Sequence, residues 1–239
     1  MSSHEGLSRR QFVAGMGLTA GVLGMTSWNG VRADEIVKTT LKPDEILAQL
    51  VEGNERFVNG KTNLSPRTPA DFARDATGQA PPAIILGCAD SRVSPEFVFD
   101  QPVGGLFVCR VAGNIVGSGP ILIGSIEFAV AVLGARLILV LGHSACGAVD
   151  AAITHLEKKD TLPGSIGSMV DYIRPVVRKV AAQPKPADKL VAVTKANAVE
   201  NAKRLATDGP ILPEFVKKGE LKVLGAYYEL STGKVEILA

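Results

Sequence analysis

Cysteine is scarce in this chain: 239 residues hold three, at positions 88, 109 and 146. Three thiols at such uneven spacing cannot form a disulfide framework, and no two of them make the Cys-x-x-Cys pair that a thiol-redox centre needs. Aromatic residues are also few, 5% against 46% hydrophobic residues in all, which suits an aliphatic core built on a parallel sheet. Neither sign of charge is in excess. The formal charge is +2, and residues 34–239 carry 23 basic and 23 acidic side chains. That balance leaves no electrostatic footprint for nucleic acid or for an anionic membrane surface. No internal repeat or low-complexity tract breaks the chain, and its length suits one large α/β domain.

A membrane-spanning run is missing as well. The early apolar stretch from Phe12 to Met25 is too short and too rich in glycine to cross a bilayer comfortably, so no stable membrane anchor is expected. It follows Ser8-Arg9-Arg10-Gln11-Phe12, a twin-arginine pattern, and leads to Val31-Arg32-Ala33, with small residues where a signal peptidase reads. Residues 1–33 are therefore expected to be a twin-arginine signal peptide. Such a signal delivers an already folded protein to the periplasm or exterior of a bacterium. The remainder, 34–239, reads as a single domain, with a helical arm over 34–80 and an α/β core over 81–239.

Pro43 to Asn59 has apolar residues near helical spacing, with Pro43 and Asp44-Glu45 as start signals and Gly60 as a stop. A short helix is expected near Asp71 to Ala76. Strands are expected over Pro82–Gly87, Gly105–Val111 and Arg136–Gly142, and helices over Pro120–Leu133, Ala145–Leu156, Ser165–Ala181 and Ala187–Ala206. Leu221–Leu230 and Lys234–Leu238 flank Ser231-Thr232-Gly233 as a hairpin. The alternation predicts right-handed crossovers and a mainly parallel central sheet flanked by helices, with the C-terminal hairpin at its edge.

The first strand ends in Cys88-Ala89-Asp90-Ser91-Arg92, and the third ends in His143-Ser144-Ala145-Cys146. Open α/β sheets carry their chemistry at the carboxyl ends of strands. Cys88, His143 and Cys146 make the Cys₂His set of a catalytic zinc site, whose fourth position is free for water. If the backbone of the pentad is extended, Cys88, Asp90 and Arg92 share a face. Paired with Arg92, Asp90 stays ionised and accepts a hydrogen bond from the nucleophile; released, it can close the open position on the metal. The plainer alternatives are two ordinary buried cysteines beside a helix-capping histidine, and a strand-capping ion pair. Cys109 reads as a buried small side chain, and His155 as a partner of a helix C-terminus.

These paired motifs resemble those of the β-class carbonic anhydrases, over roughly Asp44 to Leu230. The resemblance implies zinc on Cys88, His143 and Cys146, with Asp90 and Arg92 as the dyad that positions a zinc-bound hydroxide. It implies reversible hydration of carbon dioxide to bicarbonate by a homodimer or larger homo-oligomer, whose N-terminal helices embrace the partner subunit. Gln79 falls where plant-type members place an active-site amide that donates to substrate oxygen. Val111 stands where the family usually has Asn, and Phe128 where many members have Tyr. Some relatives hydrolyse carbon disulfide or carbonyl sulfide instead, and a closed structural zinc is a remoter reading that lacks a fourth protein ligand. One subclass traps bicarbonate in a pocket of Trp, Arg and Tyr. Here the tryptophan position is Ile85 and the sole tryptophan is Trp28; Arg110 and Tyr227 match the other two. The expected resting arrangement is accordingly Asp90 paired to Arg92, with Arg110 anchoring its loop to Asn114 and Tyr227 packed on the sheet.

Overall fold

The computed structural model describes residues 38–63, 68–117, 119–184 and 186–238; the expected signal segment lies outside them. Five strands, β1 (Ala83–Gly87), β2 (Leu106–Arg110), β3 (Leu137–His143), β4 (Lys222–Tyr228) and β5 (Val235–Leu238), form one sheet. Their order is β2-β1-β3-β4-β5, with every pairing parallel except the last. The expected parallel sheet with an antiparallel C-terminal edge is what the chain makes. The connection from β1 leaves toward β2, and the one from β3 leaves toward β4. The crevice between the carboxyl ends of β1 and β3 is therefore the topological switch point of the sheet.

Nine α-helices are described: α1 (Pro43–Val58), α2 (Pro69–Arg74), α3 (Pro95–Val98), α4 (Pro120–Ala131), α5 (Gly147–Lys158), α6 (Ser165–Asp171), α7 (Arg174–Ala181), α8 (Lys189–Thr207) and α9 (Leu212–Lys217). All residues of β1 and β3 are buried. Alternation along them feeds two cores. Ile84, Leu86, Ile138 and Val140 pack with Ile126, Ala198 and Leu205, whereas Ile85, Leu139 and Leu141 pack with Ile46, Leu50 and Phe99. Each such side chain contributes about 1.5–3 kcal/mol by leaving water.

The single helix expected over 165–181 is two helices. Pro175 supplies no N–H and its ring collides with a helical carbonyl four residues back, so α6 stops at Asp171 and α7 restarts with the proline in its first turn. Helices α3 and α9, of four and six residues, carry too little periodicity to be read from sequence.

Helix α1 docks on its own sheet, not away from it. Ile46 and Leu50 are 1% and 2% exposed. A Cβ at Gly53 would lie 1.9 Å from the Phe99 carbonyl oxygen, so only glycine allows this approach. Next to it, buried Asn54 donates to the carbonyls of Val98 (3.0 Å) and Gly233 (2.8 Å) and accepts from Val235 N–H (2.9 Å). One side chain thus ties α1 to α3 and to the C-terminal hairpin. Arg56 adds an ion pair to buried Asp100 at 2.6 Å. Among the described residues, no helix is long and apolar enough to cross a membrane.

Candidate metal centre

At the switch point Cys88, His143 and Cys146 come together, each with one ligand atom within 4.8 Å of the others. His143 is fully buried, and the two cysteines are 4% and 1% exposed. Cys88 follows β1 directly and His143 is the last residue of β3. Cys146 reaches the same point because Ala145 turns the chain at φ 53°, a left-handed conformation that costs an alanine roughly 1–2 kcal/mol. Cys146 then caps α5, where the backbone N–H groups of Val149 and Ala148 face its sulfur.

Ser144 fixes the imidazole. Its N–H donates to the Tyr228 carbonyl (2.9 Å) and its hydroxyl to Glu229 (2.8 Å), while its carbonyl lies 2.9 Å from His143 Nδ1. A carbonyl only accepts, so Nδ1 carries the proton and Nε2 presents its lone pair to the sulfurs. Nε2 is buried with no hydrogen-bond partner among the described residues. The sulfurs stand 4.0 Å apart. Two thiolates on a tetrahedral zinc, at about 2.3 Å each, stand about 3.8 Å apart. Two soft thiolates, one neutral imidazole and an orphaned lone pair therefore fit zinc in donor type and spacing.

The sulfurs share a proton unequally. Hydrogen bonding from Cys146 lowers the Cys88 thiol to about 4, helped by the Gly113 N–H, against the opposing effect of burial. The same sulfur contact, together with burial, pushes the Cys146 thiol far above its ordinary value. The pair is best described as one thiolate and one thiol.

Asp90 and Arg92 are paired at the rim. Arg92 Nε and Nη2 donate to the two carboxylate oxygens at 2.9 and 2.7 Å. The Arg92 guanidinium holds the Asp90 carboxyl well below the usual carboxylate range. Asp90 Oδ2 lies 3.9 Å from His143 Nε2 and remains outside the ligand cluster. The convergence has a different cause from the extended backbone expected above. Residues 90–93 form a turn closed by Val93 N–H on the Asp90 carbonyl (3.0 Å), and the Asp90 side chain accepts the Arg92 N–H (2.9 Å) as an Asx turn.

One expectation is corrected here. Arg110 does not anchor the loop to Asn114: its Nε donates to the Cys88 carbonyl (2.8 Å) and its Nη2 to the Asp90 carbonyl. Arg110 and Tyr227 stand on β2 and β4, with β1 and β3 between them, and each side chain is engaged elsewhere. Tyr227 bonds Glu229 at 3.3 Å with Lys195 5.0 Å above its ring, and Ile85 is fully buried in the core. Gln79 is exposed on the loop entering β1. Cys109 is buried with its thiol pushed up by burial, and His155 pairs with Asp160 at 2.6 Å. Sequence reasoning missed Asn197, Asn201 and Gly113, which support the Cys88 side of the centre.

A family model described as carbonic anhydrase matches residues 83–235. Carbonic anhydrase 2 of Mycobacterium tuberculosis is 38% identical over 190 residues, 77% of this chain and 87% of that protein. A carbonic anhydrase of Pseudomonas aeruginosa is 34% identical over 198 residues, 80% of this chain and 87% of that one. The solved structure of the Coccomyxa β-carbonic anhydrase in complex with acetazolamide aligns with a TM-score of 0.64 at 29% identity, covering 80% of this chain and 86% of that one. One of the tetrameric β-carbonic anhydrases of Sordaria macrospora shares the fold, with a TM-score of 0.64 at 24% identity over 82% of this chain and 98% of that one.

Proposed function

The chain belongs to the β-class carbonic anhydrase family, and from that premise we propose that it hydrates carbon dioxide reversibly to bicarbonate, with zinc held by Cys88, His143 and Cys146. The observation that carries this reading is the cluster of two thiols and an orphaned imidazole nitrogen at the switch point, with an ionised carboxylate 3.9 Å from that nitrogen. Bound there, zinc would supply the Lewis acidity that turns water into a nucleophile. Asp90 accepts a hydrogen bond from that nucleophile and so sets its orientation. Arg92 keeps Asp90 ionised and holds it at the rim, and the Ala145 carbonyl, 3.3 Å from Arg92 Nη2, holds the guanidinium. Ser144 keeps the imidazole in the tautomer that binds metal.

The assembly is a homodimer or larger homo-oligomer. Gln79 belongs to the loop entering β1 at its amino end, whereas the centre lies at the carboxyl end, so the length of the strand separates them within one chain. Its amide meets substrate oxygen in the site of a second subunit. The enzyme works in the periplasm or outside a bacterial cell, after export by the twin-arginine route and cleavage behind Ala33. Fractionation of hosts with and without that export system, with sequencing of the mature N-terminus, tests this; cytoplasmic retention in both hosts overturns it.

The decisive measurement is stopped-flow carbon dioxide hydration by metal-analysed protein, before and after a chelator. Activity that tracks zinc supports the reading. A zinc-loaded protein inert toward carbon dioxide overturns it, and turnover of carbon disulfide or carbonyl sulfide by that protein would assign the centre to the sulfur analogues.

A further inference from the structure

The Cys88 sulfur has a backbone partner whose aim is set from another part of the fold. Gly113 N–H donates to Cys88 Sγ at 3.3 Å. Gly113 sits in the 3₁₀ turn Ala112–Asn114 that follows β2, at φ 74°, and Asn114 continues the turn at φ 44°. Glycine and asparagine take the left-handed region more readily than other residues, so the turn is locally allowed and its exact aim is set by what holds it from outside. A Cβ on Gly113 would also lie 2.8 Å from Ile173 Cδ1, so the turn is wedged closely against the base of α7.

The support comes from α8. Fully buried Asn197 donates its amide to the Gly113 carbonyl at 2.9 Å. One turn later, Asn201 accepts the Val116 N–H at 2.8 Å and donates to Asn197 Oδ1 at 3.1 Å and to the Asn197 carbonyl at 2.8 Å. Residues 113 and 116 are thus gripped on either side by two amides of one helix, and the second amide orients the first. The hydrogen bonds of the two asparagines run to Gly113, to Val116 and to each other, not to a ligand side chain. Apart from the side-chain bond between them, their bonds end on backbone groups, and one of those residues turns its N–H to the sulfur.

We propose that Asn197, oriented by Asn201, is a positioning residue for the metal centre: by holding the Gly113 carbonyl it fixes the backbone of Gly113, so that the N–H of the preceding peptide plane withdraws charge from the Cys88 thiolate. This rests on the reading of Cys88 as a metal ligand. The consequence is specific to a site with two thiolates. Strong sulfur donation makes the metal a weaker acid, and an N–H directed at one sulfur offsets part of that donation without changing the ligand set. Hydrogen bonds behind the ligands tune a bound metal in this manner, and their loss typically weakens metal affinity about 10–100-fold.

The test uses the cobalt(II)-substituted full-length protein, whose sulfur-to-cobalt charge-transfer band reports electron density on the thiolates. Asn197→Ala should shift that band to longer wavelength and lower zinc affinity about 10–100-fold. Asn201→Ala, which leaves the Gly113 contact in place but releases its orientation, should move both in the same direction by less. The comparison variant is Asn54→Ala, which removes an equally hydrogen-bonded buried amide remote from the metal; it should lower the melting temperature with the band unmoved. A wild-type band in folded Asn197→Ala overturns the proposal and makes Asn197 a structural residue like Asn54. If Asn197→Ala does not fold, Asn201→Ala decides by the same criterion. A wild-type protein with no charge-transfer band defeats the metal-centre reading itself, which is a distinguishable result.

Discussion

The dock of α1 and the rim of the metal centre are assembled from the same parts. Each has an aspartate–arginine pair, a buried asparagine joining separate segments, and a residue at positive φ. At the dock these are Asp100–Arg56, Asn54, and Asp100 itself at φ 47°. At the rim they are Asp90–Arg92, Asn197, and Asn114 at φ 44°. The regions differ in completion. Asn54 satisfies two carbonyls and an N–H, and Asp100 accepts from Arg56 and from the Asn63 N–H, so the dock is closed by the chain alone. At the rim, His143 Nε2 and both amide atoms of Asn114 are buried without a hydrogen-bond partner among the described residues. An unmatched buried polar group costs about 1–3 kcal/mol, so where several gather the chain requires something besides itself.

The largest expected contrast comes from the ligands. Cys146→Ala or His143→Ala should abolish zinc retention and carbon dioxide hydration together, because two remaining ligands are too few for tight binding. Metal analysis and stopped-flow assay on the same sample check this, and full zinc with full turnover in Cys146→Ala would break the assignment. Next come the two ion pairs. Asp90→Asn should keep zinc and lose turnover by about 10²-fold or more, since an amide no longer orders the nucleophile by acceptance alone. Arg92→Ala should also impair turnover, by freeing Asp90. Arg56→Ala should do the opposite, leaving turnover per zinc intact while lowering stability in denaturant. Its cost should stay below the ~3–5 kcal/mol of breaking a fully buried pair, because Arg56 is partly exposed and the Asn63 N–H remains on Asp100. If both arginine variants behaved alike, the distinction between dock and rim would fail.

A smaller effect concerns protons. With Cys88 lowered to about 4 and Cys146 raised, the apo protein at pH 8 holds a thiolate and a thiol. Zinc requires two thiolates, so loading should release about one sulfur proton per ion at that pH, in addition to any proton lost by metal-bound water. Below the Cys88 midpoint both sulfurs are protonated, and zinc binding must displace two protons, so affinity falls more steeply with acid there. Calorimetry of zinc uptake in buffers of different ionisation enthalpy counts the protons at pH 8. Release near two after subtracting the proton lost by metal-bound water, which repeating the titration at lower pH separates, would show that the sulfurs do not share a proton in the folded apo protein.

The dock and the rim were not equally legible. Cys88, Asp90, Arg92, His143 and Cys146 could be read because each falls within a few residues of a strand end, where a run of apolar residues gives way to polar chemistry. The mainly parallel sheet and its antiparallel edge followed from the same runs. Asn197 and Asn201 escaped because two polar residues on a long helix usually mark its wet side. The signal was their company: Val193, Ala198, Ala202 and Leu205 share their stripe, and all are buried. Arg110 was misread because its partners are carbonyls, and carbonyls are invisible to a motif. The turn that brings Arg92 to Asp90 rests on a side chain accepting from its neighbours' backbone, a local device that overrides any alternation inferred from spacing.

Strand β3 is third of five in the sheet, with hydrogen-bonded neighbours on both edges and all seven residues buried. Amides in such a strand exchange with solvent only when the whole domain opens, whereas the edge strand β5 and the ends of helices exchange through local fraying. His143 is the last residue of β3, so its imidazole is attached to a fully buried central strand. Asp90 and Arg92 sit on a turn beyond the end of β1. The ligand that must stay still and the carboxylate that must respond thus belong to different levels of the same hierarchy of opening.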